Sequence, residues 1–159
     1  MDGLQLHLWV NHIPIIGTII GVLLAFGGMI FKNETLRKTG LVVYIVTGLA
    51  VFPANFTGEE AEHIVEDTIT WADQEQLHHS IHEHEEQAET AMTLTVIGMV
   101  LAALSLFGWP RSESIQRLLG AAFLIAGIAG SIVIGLAGHE GGKIMRPHLG
   151  APSSEHAQP

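Results

Sequence analysis

The run Glu75-Gln-Leu-His78-His79-Ser-Ile-His82-Glu83-His84-Glu85-Glu86 is the core of a polar stretch, residues 57–90, that divides an otherwise apolar chain. Those 34 residues hold 11 of the 16 acidic side chains, 5 of the 10 histidines, and no Lys or Arg. No Gly or Pro interrupts the chain from Asp73 to Ile97. The polar run should therefore continue as one helix into the apolar segment that follows it. Upstream, Thr57-Gly58-Glu59-Glu60 has capping-box spacing, and its acids suit the positive end of a helix. A short helix is expected over 58–67, then a turn at 68–72. The stretch reads as a helical connector joined to long apolar helices.

Four uncharged segments flank that connector: 13–31, 40–56, 91–109 and 118–138. Each approaches the roughly 20 residues that a bilayer core asks of a helix. The fold class expected is an all-α membrane bundle of four helices, with residues 1–146 as the transmembrane domain. The prolines and serines after Arg146 read as a loose tail over 147–159.

Composition agrees. Of 159 residues 48% are hydrophobic and only 14% charged, with the charge concentrated, a distribution typical of membrane chains. The absence of cysteine excludes disulfides, thiolate metal sites, c-type haem attachment and cysteine nucleophiles. A formal net charge of −9 argues against nucleic acid as a partner. The first 31 residues carry no Lys or Arg, so no signal-peptide n-region is evident and the first apolar segment is expected to stay in the mature protein.

Orientation follows from the cations. Lys32, Arg37 and Lys38 lie between the first two spans, and Arg111 and Arg117 between the last two; the opposite side has only Lys143 and Arg146. The positive-inside rule then places both short loops in the cytoplasm. Both termini and the acidic connector face outward from a bacterial inner membrane. All ten histidines fall on that outer side: His7, His12, His63, His78, His79, His82, His84, His139, His148 and His156.

Small residues recur every four positions at Gly17, Gly21 and Ala25, and at Gly127, Ser131 and Gly135. Such stripes let helix backbones approach closely in lipid. Packing inside the bundle is the simpler reading, and homodimerisation the other. Extending the second stripe by four residues reaches His139, which would put that residue on the packed face.

On a helical wheel, Glu75, His78, His82, Glu85, Glu86 and Glu89 share one face of the connector helix. Leu77, Ile81, His84, Ala88, Ala91 and Thr95 share the other. The polar stripe is what any solvated helix face shows. It also contains Glu75-x-x-His78, which with Glu60-x-x-His63 matches the Glu-x-x-His spacing of dinuclear carboxylate bundles, and His78 and His82 are i,i+4 partners. His84 stands alone on the apolar face, beside the bundle mouth, where a histidine is either a hydrogen-bonded core residue or a ligand. His12, just before Pro14, and His139 reach the same depth from other helices. Histidine is the commonest metal ligand and also ligates haem iron. Glu85 could ligate or hold an imidazole tautomer. No Ser/His/Asp set, phosphate loop or His-Glu-x-x-His is present, so hydrolase readings are weak.

Four motifs together resemble an uncharacterised family of bacterial four-helix membrane proteins, catalogued as a domain of unknown function. They are His7-Leu-Trp-Val-Asn-His12-Ile-Pro14, Phe56-Thr-Gly-Glu59, Ile81-His-Glu-His84-Glu85-Glu-Gln-Ala88 and Gly138-His-Glu-Gly141-Gly142-Lys-Ile. The resemblance covers most of the chain. It implies functional weight for His12, Glu59, His84, Glu85, Gly141 and Gly142. His139 is not part of the family pattern, and His148 is an alternative to it. The family's domain is sometimes joined to c-type cytochrome domains, which implies redox work and a respiratory or c-type cytochrome partner.

The expectation is a membrane protein that holds a transition metal (iron, copper or zinc) or haem b at the outer mouth of the bundle. His12, His84 and His139 would bind it, with Glu59 and Glu85 as carboxylate partners and His63, His78 and His82 as outlying metal candidates. A metal-collecting protein without redox chemistry and a structural subunit of a larger membrane complex are the other two readings.

Overall fold

In a computed structural model, residues 3–68, 74–108 and 111–149 are described. Regular structure among them is helical throughout: α1 Gly3–Ile30, α2 Glu34–Gly48, α3 Val51–Thr68, α4 Gln74–Leu106 and α5 Glu113–Leu149. The four spans expected from hydropathy correspond to α1, α2 with α3, α4 and α5. They are four helical stretches of 26 to 30 residues, long and apolar enough to cross a membrane. Thirty residues rise about 45 Å, against a bilayer core of about 30 Å. Each stretch is therefore longer than such a core is thick, and residues 57–68 of α3 and 74–90 of α4 carry the chain's polar part.

The second span is broken, a feature the hydropathy pattern did not reveal. α2 ends at Gly48, and α3 starts at Val51. Pro53 sits in the first turn of α3, where a missing N–H costs least, and it leaves the Leu49 carbonyl without its helical donor. The cap expected at Thr57 is absent, because α3 runs straight through it. The Thr57 hydroxyl bonds back to the Pro53 and Ala54 carbonyls, at 2.9 and 3.1 Å. A local capping signature has lost to a helix already nucleated upstream. The turn expected at 68–72 lies, beyond Thr68, outside the described residues. α4 does run unbroken from the acidic stretch into the apolar one. α5 stays helical through Pro147 and His148 to Leu149, so the loose tail can begin only beyond that point; residues 150–159 lie outside those described.

Large apolar side chains face outward. Leu23, Val46, Val100, Leu118 and Ile125 are all exposed. The interior is built mostly from small residues around Tyr44 and Phe123, whose rings meet edge to face at 5.1 Å. Close backbone approach sets the geometry. A Cβ on Gly21 would lie 2.7 Å from the Tyr44 backbone nitrogen. The stripe of Gly17, Gly21 and Ala25 is thus filled by Thr47, Tyr44 and Gly40 of α2. Packing within the chain accounts for it.

The bundle is two antiparallel hairpins, α1 with α2–α3 and α4 with α5, and they share one register. Thr18-Ile-Ile-Gly21-Val-Leu-Leu-Ala25 on α1 is identical to Thr95-Val-Ile-Gly98-Met-Val-Leu-Ala102 on α4 at five of eight positions, a shift of 77 (18 to 95). Thr18 and Thr95 are both 1% exposed, and Ala25 and Ala102 both fully buried. The same shift of 77 carries His7 onto His84. On the second helices a shift of 83 carries Ala54 onto Ala137 and Gly58 onto Gly141. α1 packs on α5 as α4 packs on α2.

Candidate cofactor site

The end of the bundle where α1 begins holds a cavity of about 830 Å³. That lies within the roughly 300–1,000 Å³ of small-molecule sites. Every helix except α2 contributes to it. Ile15, Val51, Ile81, Met92, Ile134 and Ile144 form apolar walls. The α5 side is bare backbone at Gly135, Gly138, Gly141 and Gly142. Neither Gly135 nor Gly142 has any atom within 4 Å of where a Cβ would stand.

Two half-buried histidines reach this cavity through one repeated arrangement. His84 on α4 donates its Nδ1 proton to the Ala137 carbonyl on α5 at 2.9 Å. His7 on α1 donates its Nδ1 proton to the Ala54 carbonyl on α3 at 3.1 Å, with the Thr57 hydroxyl as a second acceptor at 3.2 Å. In each case the acceptor lies one helical turn before a glycine. A Cβ on Gly141 would stand 3.1 Å from His84 Cε1, and one on Gly58 would stand 3.3 Å from His7 Cε1. Those glycines leave the preceding carbonyl open to a side chain from the next helix. The carbonyl keeps its helical bond on one lone pair and takes the imidazole on the other.

The arrangement settles the tautomer. A carbonyl only accepts, so Nδ1 carries the proton and Nε2 carries the lone pair in both rings. This is how protein scaffolds orient a histidine for ligation through Nε2.

The mouth is acidic. Glu59, Glu62, Glu85, Glu86 and Glu89 line it, and among the described side chains no Lys or Arg does. His12 and His82 are on this rim as well, both exposed. His12 donates Nδ1 to the Leu8 carbonyl of its own helix. Of the residues expected at the site, His12, Glu59, His82, His84 and Glu85 meet at this cavity. His63, His78 and His139 are exposed and do not line it. His139 in particular is not on the packed face, although α5 persists well past it. Each four-residue step turns about 40° beyond a full circle, so the three steps from Gly127 drift about 120°. Gly127 meets Val22 on the packed face, whereas Gly135 has turned to the cavity and His139 to the exterior. Among the described residues no three His, Asp or Glu side chains form a ready-made ion site.

The apolar stripe of α4 is buried or half-buried at Ile81, His84, Ala88, Ala91 and Thr95, while His82, Glu85, Glu86 and Glu89 are exposed. The two faces nevertheless serve one cavity, wall and rim. His7 is the residue that reading by segment passes over, since it lies before the first apolar span. The signal that finds it is the repeat: His7 stands 11 residues before Thr18, as His84 stands 11 before Thr95. Comparison with family models, with curated proteins and with solved structures finds no match.

Proposed function

We propose that the chain is a multi-pass membrane protein that holds a b-type haem between His7 and His84 and carries electrons at the outer face of a bacterial inner membrane. The observation that carries this reading is the paired imidazole: two histidines, one from each hairpin, with the same tautomer and the same Ala-x-x-x-Gly cradle, lining one cavity. Two protein ligands suffice for haem iron, because the porphyrin supplies the rest. The glycine wall of α5 leaves room for a flat ring, and the isoleucines suit its apolar edge. Haem supplies a one-electron couple when bound. Held by His7 and His84 together, such a group would serve electron transfer better than substrate binding.

Placement in the membrane rests on the exposed apolar faces and on Lys32, Arg37, Lys38, Arg111 and Arg117 at the end opposite the cavity. The acidic rim would then meet a partner outside, and a basic surface on a redox protein is the complementary chemistry. The resemblance to the four-helix family fits the same topology. Here His7 replaces His12 as the partner of His84, and His12, Glu59, Glu85 and His82 become rim residues.

The test is the absorption spectrum of the full chain purified in detergent with haem supplied. A Soret band is expected in the native protein and in His12→Ala and His139→Ala, and is expected to be lost in His7→Ala and His84→Ala. A featureless native spectrum sinks the haem reading. Stoichiometric non-haem iron, copper or zinc that disappears with His84→Ala would put a bare ion, held by the rim carboxylates, in its place.

A further inference from the structure

At the other end of the bundle a second cavity, of about 400 Å³, opens between the end of α1, the start of α2 and the start of α5. Its charged lining is Lys32, Arg37 and Arg117 against Glu34 alone, three positive groups to one negative. Met29 and Gly120 provide an apolar floor.

The three cations are held differently. Arg37 is fixed. Its Nε and Nη2 fork onto the Glu34 carboxylate at 2.9 and 2.8 Å, and its Nη1 donates to the buried Ser105 hydroxyl at 2.8 Å. Glu34 is thus shared by Arg37 and by Lys38, whose ammonium lies 3.4 Å from it, and among the described residues neither Lys32 nor Arg117 pairs with it. Arg117 is exposed and pairs with the equally exposed Glu113 at 3.3 Å.

Lys32 is the unusual one. α1 closes with the Asn33 N–H on the Gly28 carbonyl at 2.8 Å and the Lys32 N–H directed at the Met29 carbonyl. That is a Schellman close, and its penultimate residue takes a left-handed conformation. Lys32 has φ of +52°, where glycine is the ordinary occupant. The position favours glycine, yet in this chain it carries a cation that lines the cavity.

A topology signal needs cations only somewhere in the loop; Lys38, exposed and not lining the cavity, already meets that need, although it too reaches Glu34, at 3.4 Å. Convergence of Lys32 and Arg117 from different helices, over an apolar floor that opens between α1 and α5, is a more specific arrangement. We propose that this cavity binds the phosphate of an anionic phospholipid, with Lys32 and Arg117 on its oxygens and Arg37 behind them. The glycerol and acyl chains would leave along Met29 and Gly120. Basic pockets between helices at the cytoplasmic side are suited to such headgroups. The inference rests on the membrane reading of the chain, and not on the haem.

The test is native mass spectrometry of the detergent-solubilised full chain, titrated with phosphatidylglycerol, with phosphatidylcholine of the same acyl chains, and with inorganic phosphate. One phosphatidylglycerol per chain should be retained in preference to phosphatidylcholine. Lys32→Gly and Arg117→Gln should each weaken retention about fivefold, the loss of one surface cation near a lipid phosphate. Lys32→Gly also suits the left-handed position, so its melting temperature in lipid-free detergent should rise, which separates lost binding from lost fold. Equal retention of both lipids, or unchanged retention in Lys32→Gly, overturns the proposal. Inorganic phosphate that binds and displaces the lipid at equal concentration also overturns it, in favour of a soluble anion.

Discussion

His84 on α4 donates its Nδ1 proton to the carbonyl of Ala137 on α5 across 2.9 Å, and its ring lies over Gly141 one turn further on. The bond joins the two helices of one hairpin at the cavity wall. It adds little to the fold, because the Ala137 carbonyl keeps its helical bond when the imidazole is removed. His84→Ala should lower the stability of the cofactor-free protein by only about 1 kcal/mol, read as a small shift in thermal melting in detergent. A loss several times larger would make His84 a structural residue first.

Gly141→Ala separates positioning from ligation. The new Cβ would stand 3.1 Å from His84 Cε1, so the ring must shift by a few tenths of an ångström or lose its seat. Haem retention should fall while His84 itself is intact. The equivalent change, Gly58→Ala, should act the same way through His7, where the contact is 3.3 Å. If both variants bind haem as the native protein does, the glycine cradles have no part in the site.

Gly135→Ala should act in opposite senses on fold and site. No atom lies within 4 Å of the added methyl, and alanine is the better helix former by about 1 kcal/mol. Thermal stability of the cofactor-free protein should hold or rise. Haem affinity should drop, because the methyl enters the cavity.

Gly21→Ala tests the α1–α2 contact far from the cavity. Its Cβ would press on the Tyr44 backbone nitrogen at 2.7 Å and Cα at 2.8 Å, neither of which can rotate away. A cost of about 1–3 kcal/mol is expected from overpacking, measured as a lower melting temperature with the haem spectrum unchanged in the surviving folded fraction.

Orientation has its own test. A cysteine placed at the exposed Glu83 should react in intact cells with a reagent that cannot cross membranes, and one placed at Lys38 should not. Labelling at Lys38 alone would reverse the topology.

The four long helices and the inward turn of His84 were legible because each follows from local periodicity and length. The stripe Gly17, Gly21, Ala25 was legible for the same reason, and α2 fills it. What local reading missed depended on the other hairpin. His7 precedes the first apolar span, and only the approach of Ala54 and Gly58 on α3 gives it a role. His139 follows a four-residue stripe whose drift a longer helix accumulates until the side chain faces out. Thr57 has the letters of a cap, but its hydroxyl is engaged by α3 and by His7. The eight-residue match between α1 and α4 is visible in the amino-acid sequence itself, and aligning its two copies pairs His7 with His84.

The central claim is that His7 and His84, one imidazole from each hairpin, would together hold one haem. Electron paramagnetic resonance of the ferric, haem-loaded protein tests it most directly. The account predicts a low-spin signal of the bis-imidazole type in the native protein and in His12→Ala, replaced by a high-spin signal or lost with the haem in His7→Ala and in His84→Ala. A high-spin signal from the native protein, or a low-spin signal that survives in His7→Ala and vanishes in His12→Ala, would contradict it.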